Sequence, residues 1–117
     1  MKKMFGILCM LWGLSACSTN QSAPISVNIN LEENPAYQYQ GEYAALYYSY
    51  IHIQSTVDQV HVNKVLINRG NCPISFWVYR NPNLKFGQEM KAVLRCDMEQ
   101  VREVTVETDQ GEFTFNF

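Results

Sequence analysis

The strongest constraint on this chain sits at its end. Val104 and Val106 alternate with polar neighbours, a turn signal follows at Asp109-Gln110-Gly111, and Phe113, Phe115 and Phe117 then alternate with Glu112, Thr114 and Asn116. A period of two puts each apolar set on one face of a strand. Gly111 is suited to the positive φ that a three- or four-residue hairpin loop requires. The chain is therefore expected to end on a hairpin with one apolar face, and that face needs a second layer to cover it.

The same period recurs upstream. Ile25, Val27, Ile29 and Leu31 alternate with Ser26, Asn28 and Asn30, and Asn34-Pro35 breaks the run. Ile51 and Ile53 alternate with His52 and Gln54, and Val60 and Val62 with His61 and Asn63. A tight hairpin at Thr56-Val57 would set Ile53 beside Val60 and Ile51 beside Val62. It would also set His52 opposite His61 on the other face, either as polar surface or as two ligands of a metal whose third ligand the sequence does not fix. Val65 and Ile67 are out of phase with Val60 and Val62, which asks for a bulge near Asn63-Lys64. Met90, Ala92, Leu94 and Cys96 share a phase opposite Glu89, Lys91 and Arg95, so Cys96 is expected to point inward. Asn68 to Cys72 reads as a turn in which Gly70 and Asn71 tolerate left-handed backbone. Asn81-Pro82-Asn83 reads as a loop. Between Glu42 and Tyr50 the signals divide: Tyr43, Leu46, Tyr47 and Tyr50 have helical spacing, while the residues that follow favour strand. Short strands, regular turns and no sustained helix predict an all-β fold, a small antiparallel β-sandwich or small barrel.

The other end of the chain has a different character. Lys2 and Lys3 precede an apolar run from Met4 to Leu14, with the charge and length of an export signal. Its 11 residues are about half of the roughly 20 needed to cross a bilayer as a helix. Leu14-Ser15-Ala16-Cys17 closes the run and resembles the lipobox of bacterial lipoprotein precursors. That resemblance implies a signal peptide over 1–16, a diacylglyceryl group on Cys17, and acylation of the new amino terminus. Two or more acyl chains give stable anchoring where one does not. Ser18 after the cysteine implies, for a double-membraned host, sorting to the outer membrane. The alternative is a soluble exported protein cut nearby, with Cys17 unmodified. Residues 17–40 are then the lipidated terminus, a small polar tether and a first strand, and 41–117 the β domain.

With residues 1–16 removed, seven Lys or Arg face eleven Asp or Glu, a net charge of −4. No nucleic-acid partner is expected of such a surface. Cys9 leaves with the signal and Cys17 carries lipid, so Cys72 and Cys96 remain. In an oxidising compartment they are expected to form one disulfide. The competing reading, a metal or redox pair, lacks both a Cys-x-x-Cys spacing and a neighbouring histidine.

Six tyrosines lie between Tyr37 and Tyr50, which suits a carbohydrate- or peptide-binding stripe or the edge of a small core. Ile74, Phe76 and Val78 are expected on one face of a strand, and Ser75, Trp77 and Tyr79 on the other. Trp77 and Tyr79 form the best candidate surface for a partner, the alternative being burial between layers. Arg69 is a weaker candidate for an anion. The stretch from Asn68 to Phe117, with its Asn/Gly turn, the bend at Leu84 and Gly87 and a final strand pair, resembles the later strands of immunoglobulin-like domains on bacterial surface proteins. That resemblance implies a sandwich and carries no ligand residues.

Nucleophile elbow, P-loop and zinc-protease motifs are absent, and Asp97 and Glu99 beside the disulfide read as a solvated charge pair. The sequence therefore predicts a non-enzymatic protein without a cofactor. The first reading is a lipid-anchored accessory module that docks onto an envelope assembly through a sheet edge or the Trp77-Tyr79 face. The alternative is an inhibitor or immunity-type lipoprotein that blocks a periplasmic hydrolase such as lysozyme.

Overall fold

The structure, a computed structural model, describes residues 22–34 and 46–117. Expectations that rest on the lipobox, Cys9, Cys17, Tyr37, Tyr39 and Tyr43 lie outside the described residues.

Among the described residues there are eight strands: β1 (Ile25–Glu33), β2 (Tyr47–Ser55), β3 (Gln59–Ile67), β4 (Ile74–Tyr79), β5 (Asn83–Lys85), β6 (Glu89–Leu94), β7 (Glu103–Thr108) and β8 (Gly111–Asn116). They form two four-stranded sheets, β1-β2-β6-β4 and β5-β3-β7-β8, with every pairing antiparallel. Apart from the three-residue β5, this is the strand order of a constant-type immunoglobulin sandwich. Of the sandwich and the barrel, the chain adopts the sandwich.

The inward phase of each strand supplies the core. Ile25, Ile29, Ile51, Ile53, Met90, Ala92 and Leu94 come from the first sheet, and Val60, Val62, Ile67, Leu84, Val104 and Val106 from the second. Ile51, Ile53, Val104 and Val106 are fully buried; burying an aliphatic side chain of this size contributes about 1.5 to 3 kcal/mol.

Cys72 and Cys96 are joined, with Cα atoms 5.5 Å apart. Ile74 pairs with Leu94 and Arg95 N–H donates to Pro73 O at 3.0 Å, so the bond clamps the end of the β4–β6 ladder. Cys72 is buried and Cys96 half-buried against the core.

Several expectations are corrected. β2 and β3 are not a hairpin but belong to opposite sheets, so Ile51 and Ile53 meet Val60 and Val62 through the core rather than alongside. Backbone bonding explains the corner: Ser55 N–H donates to Gln88 O, Gly87 N–H to Ser55 O and Thr56 N–H to Pro24 O. The end of β2 is thereby held by its own sheet. Ser55 Oγ then donates to Val57 O at 2.6 Å and accepts from Val57 N–H, and the chain turns into the second sheet. His52 and His61 are consequently on different sheets, which removes the facing histidine pair as a metal site.

Tyr47 to Tyr50 is strand, because the cross-strand partners Glu33 to Asn30 on β1 fix it extended. The final turn is tighter than expected, with Thr108 paired to Gly111 and only Asp109 and Gln110 between them; Gly111 has φ 127°. In the turn after β3, Gly70 is left-handed, but so are Asn68 and Arg69, while Asn71 is right-handed. The Asn68 side chain accounts for this: Oδ1 accepts from the N–H groups of Arg102 and Glu103, and Nδ2 donates to Gln100 O. Asn83 begins β5 instead of ending a loop, since Leu84 fills a core position at 2% exposure.

Candidate interaction face

The outer face of the first sheet is assembled by register. Asn30 lies opposite Tyr50, Glu32 opposite Tyr48 and Asn28 opposite His52. On the next strand Lys91 pairs with His52, Val93 with Tyr50 and Glu89 with Gln54. β4 completes the face with Phe76 beside Val93 and Tyr79 beside Lys91.

Trp77 does not share that face. The register of β4 shifts between Ile74 and Phe76 and again between Trp77 and Tyr79. Each extra residue reverses the alternation, so Ile74 and Trp77 turn inward opposite Leu94 and Ala92 while Phe76 and Tyr79 turn outward. Trp77 is half-buried against the core. The expected Trp77-Tyr79 pair is thus split, and the outward aromatic partner of Tyr79 is Phe76. A strict period of two cannot reveal a bulge that keeps both faces aromatic.

Within the face, Tyr48 meets Tyr50 edge-on and Phe76 edge-on, each with centroids 6.2 Å apart. Phe76 is 49% and Tyr79 55% exposed. Tyr50 is buried, and that burial raises its hydroxyl above the ordinary 10.0. Lys91 Nζ sits 4.5 Å from the Tyr50 ring centroid, a cation–π geometry.

An ion network runs through the aromatic residues. Glu32 Oε1 accepts from Lys91 Nζ at 2.8 Å, and its Oε2 lies 2.8 Å from His52 Nε2. His52 Nδ1 is 2.9 Å from Glu89 Oε1. A neutral imidazole donates from one nitrogen only, so the imidazolium is the form that serves both carboxylates. Lys91 holds the Glu32 carboxyl below its ordinary value, with His52 adding to the effect and partial burial opposing it. Reciprocally, Glu32 raises Lys91. These contacts fix four long side chains across three strands, which leaves a pre-organised charged centre flanked by exposed rings.

Sequence reasoning located His52 but missed Glu32, Glu89 and Lys91 as its neighbours; the signal was their common phase on strands whose pairing was unknown. His61 lies at the other side of the molecule, its Nδ1 2.6 Å from Asn83 Oδ1. Arg69 pairs at the surface with Glu103. Among the described residues no group of three or more His, Cys, Asp or Glu side chains is arranged to hold a metal.

Comparison of the chain with protein-family models, curated proteins and solved structures finds no match.

Proposed function

We propose that this protein is a lipid-anchored envelope protein that works as a non-catalytic interaction module, docking a protein partner on the outer face of its first sheet. The observation that carries the docking surface is the pair of half-exposed rings, Phe76 and Tyr79, set beside a charged centre that is already immobilised. Aromatic anchors next to pre-organised polar groups are the usual energetic centre of a protein interface, and ordering those side chains beforehand lowers the entropic cost of association. Anchoring through Cys17 rests on Leu14-Ser15-Ala16-Cys17, and the outer membrane as its location rests on Ser18.

The test is affinity purification of the full-length protein from its native membranes, beside Phe76→Ser/Tyr79→Ser and Cys17→Ala versions. A defined partner should copurify with the parent and fall by about tenfold or more with the double variant, since truncating a hot-spot side chain at an interface costs about 2 kcal/mol or more. Cys17→Ala should leave the membrane fraction. Equal recovery of every partner with the double variant overturns the docking surface, and a Cys17→Ala protein still held at the membrane overturns the anchor.

A further inference from the structure

On the side of the sandwich away from β1, the two sheets part. β5 covers β3 only at Gln59–His61, so the following residues of β3 face β4 across an open gap. That gap is a cleft of about 480 Å³ lined by His61, Lys64, Trp77, Arg80, Pro82 and Met90 among others. Its volume falls in the range of small-molecule sites.

Three features distinguish it from a simple defect in packing. The first is charge. Among the described residues no Asp or Glu lines it, although acidic residues outnumber basic ones in the chain, and neither Lys64 nor Arg80 takes part in an ion pair there. The second is an apolar wall: Trp77, half-buried, lines the cleft together with Met90 and Ile74, and the Arg80 guanidinium carbon is 5.9 Å from the Trp77 ring centroid. The third is backbone. Every break in strand register among the described residues lies on β3 or β4, between Val62 and Lys64, Ile74 and Phe76, and Trp77 and Tyr79. Bulges re-aim side chains and block edge-to-edge strand pairing. Here they turn Trp77 into the cleft and leave both facing edges poorly suited to an added strand, which argues against a peptide and for a compact ligand.

We infer that this cleft is a binding site for a small ring compound carrying a negative charge, its ring against Trp77 and its anionic group served by Lys64 and Arg80. A carboxylated sugar and an aromatic acid share that chemistry. This site is separate from the outer face proposed for docking, and neither inference depends on the other.

The chain from Cys17 onward, like an unprocessed chain carrying Trp12→Phe, has Trp77 as its only tryptophan, so its emission reports on the cleft directly. Sodium glucuronate, sodium benzoate and uncharged glucose are titrated as probes. At least one of the two anions should change the emission saturably, glucuronate marking the sugar source and benzoate the aromatic one, while glucose has no effect. Lys64→Ala and Arg80→Ala should each raise the dissociation constant by about tenfold; both side chains are exposed, and an unchanged thermal midpoint verifies the fold. The inference is overturned if neither anion saturates below about 10 mM, the millimolar range marking only weak binding, if glucose acts like glucuronate, or if both variants bind as the parent does.

Discussion

Trp77 and Tyr79, two residues apart on one strand, point to opposite sides of the sheet. The residue between them, Val78, is the extra one in the β4 register, so a spacing that ordinarily means a common face here separates a core side chain from a surface one. Their substitutions should separate in the same way. Trp77→Ala should lower unfolding free energy by about 2 to 3 kcal/mol, somewhat less than for a fully buried ring. Tyr79→Ala should stay within about 0.5 kcal/mol of the parent. Urea midpoints for the two variants check this, and similar losses in both would contradict the split.

Removing the disulfide should cost more than either of these substitutions. Its loop of roughly 25 residues corresponds to about 3 to 4 kcal/mol in the chain-entropy account. Cys72→Ala/Cys96→Ala should therefore unfold at markedly lower urea concentration. Reducing agent should destabilise the parent by a similar amount and leave the variant unchanged.

The ion network sets an acid limb to stability. Glu32 has a folded-state value below its ordinary 4.5 because Lys91 holds it ionised. Its contribution is then fully present above about pH 4.5 and disappears as pH falls through the lowered value. Thermal midpoints of parent and Glu32→Gln should differ at pH 7 and converge in that acid window. Lys91 is raised by the same contact, so its share is complete below 10.5 and vanishes as pH rises through the higher folded value. A midpoint difference that persisted unchanged into strong acid would count against the network.

Asn68 ties the turn after β3 to the segment leading into β7 with hydrogen bonds of 2.8, 2.8 and 3.2 Å. It does so from a left-handed backbone, φ 53°, which asparagine tolerates better than most residues. Asn68→Ala loses the bonds and strains the backbone, and should cost about 2 to 3 kcal/mol by equilibrium unfolding. Asn68→Gly relieves the strain but not the bonds, and should fall between alanine and the parent.

Much of the sandwich could be read from alternation alone. Val104 and Val106 against Phe113 and Phe115 marked the terminal hairpin, and the phase break after Val62 marked the bulge at Asn63. The disulfide followed from cysteine usage. Pairing was less visible. Ile51, Ile53, Val60 and Val62 must all face inward, and two strands side by side in one sheet satisfy that requirement as well as two strands facing each other across the core. What decides between them is the backbone bonding of Ser55 and Thr56 to Gln88 and Pro24, contacts remote in sequence. The candidate face was hidden for the same reason, since Glu32, His52 and Lys91 become neighbours only once β1, β2 and β6 are known to be adjacent.

The pairing of β1 also has a mechanical meaning. β1 opposes β2 over nine residue pairs and enters the domain at Ile25, beside Ser55. The successive antiparallel pairings put Phe117 and the disulfide at the opposite pole. A pull on the segment ahead of Ile25, resisted by something gripping that far pole, acts along the strand. The β1–β2 ladder is then loaded in shear, with its hydrogen bonds sharing the force at once. Peeled sideways, the same ladder would yield one pair at a time.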